Sequence, residues 1–186
     1  MANQTLEQAL ASLPVDAIEA MVGSNFMPEF CKALGFNPTE TYPQYRTGDG
    51  NEAIDFTLPH NLDDTDIFLS TKTNPKILIE IKGKDINLTE GASQYKSTVK
   101  QLKRYLLSPN CKTVEWGIIT NSCHLQLFRK HGKVIHPATQ NLEINTENIT
   151  KIIKQIKQKI HSPSTGLTVA IYNNKGGVGK TQPPST

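Results

Sequence analysis

The stretch ILIEIKGK, residues 77–84, constrains the fold of this chain more than any other part of the sequence. Four of its first five residues are aliphatic, which is typical of a strand in the interior of a sheet. Glu80 and Lys82 nevertheless lie two residues apart, and side chains at that spacing on a strand project to the same face. The sequence therefore predicts a buried strand that carries a carboxylate and an ammonium group side by side.

Helical and extended segments follow one another along the rest of the chain. Apolar residues at helical spacing predict helices over 5–12, 14–35, 91–107 and 146–160. Pro28 lies inside the second of these and predicts a kink, or a break into two helices, near Asn25. Alternating apolar residues predict further strands on either side of the turn 48–50 (the second over 52–58), over 114–120, over 124–130 and weakly over 133–137. This order predicts an α/β fold of the mixed α+β kind, a sandwich with a central mixed β-sheet flanked by helices.

Length and composition limit the class of protein. The chain has 186 residues with 37% hydrophobic content, which is enough for one core and a fragment of a second domain. No apolar run approaches the roughly 18 residues of a membrane helix, and the N-terminal residues lack the features of a signal peptide. We therefore expect a cytoplasmic protein with no membrane partner. The net charge of +3 permits nucleic-acid binding without requiring it.

Two weaker signals have ordinary explanations that we favour. Cysteine and histidine residues could form a zinc site, but no C-x-x-C pair exists; they are Cys111, Cys123, His124 and His131. The chain has three cysteines, Cys31, Cys111 and Cys123. Because they are widely spaced and odd in number, we expect reduced thiols. The last helix carries lysines beside its isoleucine face, and these could contact phosphates, although a solvated face is the commoner explanation; they are Lys151, Lys154, Lys157 and Lys159.

A carboxylate pair with a lysine suits metal-dependent phosphodiester cleavage. Mg²⁺ is bound by one or two carboxylates together with water and substrate oxygens, and a lysine can act on the attacking water or stabilise charge at phosphorus. Asp55, in the strand over 52–58, could join Glu80 and Lys82 in such a site. The alternative is a Glu80–Lys82 pair on the half-exposed face of an edge strand.

Four sequence elements together resemble a known family. They are IEAMVGSNFMPEFCKALGF with Glu19, EAIDFTL with Asp55, ILIEIKGK with Glu80 and Lys82, and QLKRYL with Gln101 and Tyr105. In this order, over about residues 15–135, they resemble the PD-(D/E)xK nuclease superfamily, and within it the N-terminal nuclease domain of type I restriction enzyme R subunits. The resemblance implies a restriction-endonuclease-like sandwich that acts on DNA with Mg²⁺ or Mn²⁺.

The resemblance also implies roles for individual residues. Asp55 and Glu80 would bind the metal together with the backbone carbonyl of Ile81, and Lys82 would act on the attacking water or on the transition-state charge. Glu19 would contact metal-bound water. Gln101 and Tyr105 would orient the site or touch DNA. The alternatives without a functional role are that Gln101 is a solvated helix residue, Tyr105 a core residue and Glu19 a surface charge. A homodimer that cuts both strands is left open by the sequence.

The segment LTVAIYNNKGGVGKT carries a second motif. A strand leads into a glycine-rich phosphate loop that resembles the deviant Walker A loop of ParA/MinD-type ATPases; its residues are Lys175, Gly176, Gly177, Gly179, Lys180 and Thr181. Only QPPST follows, and its two prolines prevent the helix that such a loop needs. We therefore expect a vestigial loop without ATP binding, in a disordered tail.

These signals define the expected organisation and three candidate functions. The domains would be a nuclease-like domain over 1–161, a linker over 162–166 and a truncated ATPase start over 167–186. The first function is a Mg²⁺-dependent DNA endonuclease, supported by the D…E-x-K set. The second is a non-catalytic DNA-binding or regulatory module once fused to a partitioning ATPase, supported by the phosphate loop. The third is a plain scaffold that binds neither DNA nor metal.

Overall fold

The computed structural model describes residues 5–60 and 67–162. Within these ranges a seven-stranded mixed sheet carries helices on both faces, which confirms the predicted fold class. The predicted phosphate loop and nearly all of the linker lie outside the described residues. None of the helices in the described ranges combines the length and apolar character needed to cross a membrane.

The seven strands share one sheet. They are β1 Tyr42–Arg46, β2 Ala53–Pro59, β3 Pro75–Ile81, β4 Trp116–Thr120, β5 His124–His131, β6 Val134–Pro137 and β7 Leu142–Glu143. The first six follow one another across the sheet in chain order, and β7 also pairs with β5. Among the strand pairs of the described residues, only β3 and β4 are parallel. A parallel pair requires a crossover connection, and a helix supplies it here.

Within residues 5–60 and 67–162, six α-helices accompany the sheet. They are α1 Leu6–Ala11, α2 Glu19–Met21, α3 Met27–Leu34, α4 Phe68–Thr71, α5 Ser93–Leu106 and α6 Ile149–His161. A π-helical turn over Val22–Phe26 joins α2 to α3, and two short 3₁₀ turns lie at Pro38–Glu40 and Pro109–Cys111. The crossover between β3 and β4 contains α5.

Alternate residues of β3 pack into two different hydrophobic cores, one on each face of the sheet. Ile77, Ile79 and Ile81 pack on one face of the sheet with α1, α3 and α6. Leu78 packs on the other face beneath α5. Because side chains alternate along a strand, Glu80 lies on the α5 face with Leu78. The predicted central strand therefore has one wholly apolar face and one face that ends in a charged residue.

The predicted helix over 14–35 begins later than the sequence suggested. The structure has its first turn at Glu19, and the chain before it is a loop in which Ile18 is 58% exposed. Ile18, Met21 and Val22 all fit the helical spacing of apolar residues in 14–35, but of these three only Val22 is buried. The interruption predicted near Asn25 takes the form of the π turn, which accommodates the missing N–H of Pro28 in a continuous helical path.

The segment after β3 is held against the loop that precedes α2. The backbone N–H of Lys84 donates to the carbonyl of Ala17 at 2.8 Å, and its ammonium donates to the carbonyl of Leu13 at 3.2 Å. A Cβ on Gly83 would lie 3.0 Å from the backbone nitrogen of Glu19 and 3.1 Å from the carbonyl oxygen of Ala17. The missing side chain of Gly83 thus allows the approach that brings Glu19 to the end of β3.

Gly83→Ala tests this contact. The added methyl group would meet backbone atoms that cannot turn away, so we expect the free energy of unfolding to fall by about 1–3 kcal/mol. Urea unfolding followed by circular dichroism measures the change. Ser97→Ala on the exposed side of α5 is the control, with an expected change within about 0.5 kcal/mol. Equal effects of the two substitutions would contradict the close approach at Gly83.

Candidate active site

Asp55, Glu80 and Lys82 meet at the end of β3, where β2 and β3 separate. The antiparallel register of β2 and β3 pairs Phe56 with Ile79, so the next position along sets Asp55 opposite Glu80. The Lys82 ammonium lies 2.5 Å from Glu80 Oε1 and 3.5 Å from Glu19 Oε2. The structure therefore brings together four of the side chains that the sequence singled out.

Where β2 and β3 separate, the carboxylate of Asp55 accepts a hydrogen bond from a β3 backbone N–H in place of a β2 carbonyl. The pairing of the two strands ends at Phe56 and Ile79. Two residues beyond Ile79, the N–H of Ile81 donates to Asp55 Oδ2 at 2.9 Å. The N–H of the following residue, Lys82, donates to Thr120 on the β4 side. Since N–H and C=O groups alternate in direction along a strand, the carbonyl of Ile81 is directed toward β2 and Asp55.

Gln44 is a site residue that the sequence analysis missed. Its amide nitrogen donates to Asp55 Oδ1 at 3.2 Å. Its backbone has φ = 50°, in the left-handed region that residues other than glycine rarely adopt, although it lies within β1. Such strain persists where the surrounding structure imposes it, and it is frequent at functional sites. In the sequence YPQYR this glutamine has no feature that sets it apart from a solvated edge-strand residue.

Burial controls the electrostatics of the two acids. Glu80 is 2% exposed. Burial, followed by the repulsion from Asp55, raises the pKa of Glu80 from 4.5 to about 7, although Lys82 acts in the opposite direction. Burial also raises the pKa of Asp55, while the N–H of Ile81 acts to lower it. The site therefore holds two carboxylates whose charged forms are disfavoured.

Lys82 is a stable cation in this setting. Its side chain is 18% exposed. Burial acts to lower the pKa of Lys82, but Glu80, Glu19 and Asp55 together outweigh burial and raise it. Lys82 therefore stays protonated at neutral pH. It lies between Glu80, which is buried in the sheet, and Glu19, whose side chain is 49% exposed to solvent.

The donor set suits a hard divalent cation. Asp55 and Glu80 offer carboxylate oxygens, and the carbonyl of Ile81 is directed toward the same gap. The described ranges contain no cluster of three or more His, Cys, Asp or Glu side chains that could hold a metal. Mg²⁺ requires fewer protein ligands, because it keeps several waters and takes substrate oxygens. Of the residues considered for zinc, Cys111 is a poor ligand, because burial raises the pKa of its thiol to about 11 and zinc binds thiolates.

Gln101 and Tyr105 lie on α5, over the face of the sheet that carries Glu80. The amide of Gln101 donates to the hydroxyl of Tyr105 at 3.0 Å. Tyr105 is buried in the core beneath α5, in the same cluster as Tyr45 and Ile54. In the part of the chain that the structure describes, no hydrogen bond or ion pair joins either residue to the acids or to Lys82. The role in the site implied for them by resemblance stays a prediction.

Two substitutions at Gln44 distinguish the effect of its backbone strain from the effect of its side-chain hydrogen bond. Gln44→Gly and Gln44→Ala both remove the donor to Asp55, but only glycine relieves the positive φ. We expect the glycine variant to exceed the alanine variant in free energy of unfolding by about 1 kcal/mol, the reverse of the usual order in a strand. Chemical denaturation measures this difference. The pKa of Asp55, measured by NMR titration, should rise in both variants; an unchanged pKa would contradict the Gln44 contact.

The raised pKa of Glu80 makes stability depend on pH. Folded Glu80 holds its proton more tightly than the unfolded chain does, so protonation stabilises the fold. This stabilisation is complete below pH 4.5 and is lost as the pH rises to about 7. The difference in free energy of unfolding between wild type and Glu80→Gln should therefore fall by up to about 3 kcal/mol across that window. Denaturation at a series of pH values measures it, and a pH-independent difference would contradict the raised pKa.

The chain was compared with protein-family models, with curated proteins and with solved structures. No protein-family model, no curated protein and no solved structure matches the chain.

Proposed function

We propose that this chain is a metal-dependent DNA endonuclease of the PD-(D/E)xK kind, which hydrolyses phosphodiester bonds with Mg²⁺ or Mn²⁺. One observation carries the proposal: Asp55 binds the backbone N–H of Ile81, the residue after Glu80, and together with burial its repulsion raises the pKa of Glu80, while the ammonium of Lys82 lies beside Glu80. The resemblance of the sequence to type I restriction enzyme R subunits, which rests partly on the same residues, supports the same conclusion.

The energetics of the site support a functional role over a structural one. A buried carboxylate costs several kcal/mol unless it is fully paired, and here a single lysine serves Glu80 while Asp55 repels it. A core of apolar residues at these positions would serve stability better. Groups whose pKa is shifted by burial and by a specific charged neighbour are concentrated at functional sites.

Each residue then has a role that follows from its contacts. Mg²⁺ bound there would polarise the scissile phosphate and lower the pKa of a water molecule. Asp55 and Glu80 would hold the ion, with the carbonyl of Ile81 as a further ligand. Asp55 is oriented for this task by the N–H of Ile81 and by the amide of Gln44.

Lys82 would stabilise negative charge instead of removing a proton. Its pKa is raised, so at neutral pH it carries a proton and cannot accept another. An ammonium group fixed beside the reacting phosphate stabilises the charge that develops in the transition state. Glu19 contacts Lys82 from the solvent side and would orient it or contact a metal-bound water.

A plasmid-nicking assay tests the proposal. Supercoiled DNA is incubated with the protein in Mg²⁺, in Mn²⁺ and in EDTA, and the nicked form is measured over time. We expect cleavage only with metal, and a loss of at least about 100-fold in Asp55→Asn, Glu80→Gln and Lys82→Ala.

The control is another carboxylate of the same sheet. Glu115 forms an ion pair with Arg129 at 2.9 Å, next to the opposite end of β3 from the site. Glu115→Gln removes a comparable charge and should leave cleavage unchanged. Metal-independent cleavage, or equal activity in wild type and Lys82→Ala, would refute the nuclease proposal. DNA binding without cleavage would favour the alternative, a non-catalytic DNA-binding or regulatory module.

A further inference from the structure

Two helices of this chain are basic and contain no acidic residue. Between Ser93 and Leu106, α5 carries three lysines and one arginine, and between Ile149 and His161, α6 carries four lysines. Either helix could contact the phosphates of a nucleic acid, because both present lysines to solvent. Sequence alone gives no ground for choosing between them.

The sheet separates the two helices. The isoleucines of α6 pack in the core on the face of Ile77, Ile79 and Ile81. Leu102 and Leu106 of α5 pack on the opposite face with Leu78. Since Glu80 shares the face of Leu78, Glu80 and α5 lie on the same side of the sheet, and α6 lies on the opposite side.

The first turns of α5 lie level with the site. The hydroxyl of Tyr95 donates to Gln126 Oε1 at 2.7 Å. Gln126 pairs with Ile119 across β5 and β4, and Ile119 pairs with Glu80 across β4 and β3. Tyr95 therefore anchors the start of the helix to the row of residues that contains Glu80. The next residue along the helix, Lys96, is exposed.

The lysines of α5 form a narrow stripe. At about 100° per residue, Lys96, Lys100 and Lys103 lie within about 60° of one another and span about 10 Å along the axis. Lys96 and Lys100 are exposed and Lys103 is half-buried. None of the three has an ion-pair partner among residues 5–60 and 67–162. Arg104 differs, because it is paired with Glu52 at 2.6 Å.

We propose that Lys96, Lys100 and Lys103 bind the phosphate backbone of double-stranded DNA and guide one strand to the site. The inference rests on the proposed function for the identity of the substrate. A span of about 10 Å covers about three phosphates of one strand. A membrane surface is a poorer fit, because membrane-bound helices insert an apolar face, and the apolar residues of α5 are committed to the core.

Charge removal from matched helices tests this surface. The α5 variant carries Lys→Gln at 96, 100 and 103, and the control carries Lys→Gln at 151, 154 and 159 in α6, so both lose three positive charges. Binding to a fluorescent duplex is measured by anisotropy in EDTA, which prevents metal-dependent cleavage, at a series of salt concentrations. We expect the α5 variant to lose at least about tenfold in affinity and the slope of log K against log salt to fall by about 2–3. The α6 variant should change by less than about threefold.

Each outcome bears on one proposal. Equal losses in the two variants, a larger loss in the α6 variant, no binding of duplex by wild type, or tighter binding of anionic vesicles than of duplex would overturn the inference. If the α5 variant alone loses binding but wild type does not nick plasmid, the DNA surface stands and the nuclease proposal fails. If wild type nicks plasmid and the α5 variant nicks it equally fast, the nuclease proposal stands and the surface proposal fails.

Discussion

The site depends on one constraint, which is the burial of two carboxylates where β2 and β3 separate. Glu80 has almost no access to solvent, so its charge must be balanced by neighbouring protein groups. Lys82 supplies a positive charge, and the N–H of Ile81 binds Asp55 where the strand pairing ends. The close approach of Gly83 to the loop before α2 then brings Glu19 to Lys82. Each of these contacts follows from the need to accommodate charge at the end of a central strand.

The two faces of the sheet differ in how much charge they carry. Toward α1, α3 and α6, the sheet presents a large and wholly apolar core, and the isoleucine face of α6 closes it. Toward α5, a smaller core ends at Glu80 and leaves the charged cluster beside it. The larger core can stabilise the fold without contribution from the site, so the site can retain unfavourable charges. Functional sites commonly depart in this way from the rules that hold for the rest of a structure.

The periodicity of apolar residues predicted most of the fold, but it could not predict contacts between residues distant in sequence. The alternation in ILIEIKGK placed Glu80 and Lys82 on one face, and the isoleucines of α6 marked its buried side, because both patterns repeat within one element. The positive φ of Gln44 and its contact with Asp55 have no local signal, since they arise where two strands separate. The late start of the helix at Glu19 was missed because Ile18 continues the apolar spacing while remaining exposed. The short β7 gave no periodic signal because it has only two residues.

The charge balance of the cluster specifies the kind of ion that would complete it. Glu19, Asp55 and Glu80 in their ionised forms set three negative charges against the one positive charge of Lys82, which leaves a formal charge of −2. A monovalent cation would leave part of this charge unbalanced beside the buried Glu80, whereas a divalent cation would neutralise it. Such an ion would also favour the ionised form of Glu80, whose pKa of about 7 means that a modest stabilisation suffices at neutral pH. The charges and the oxygen ligands would therefore both suit a hard divalent ion, and because Lys82 and the N–H of Ile81 already hold both acids, such an ion would meet ligands in nearly fixed positions.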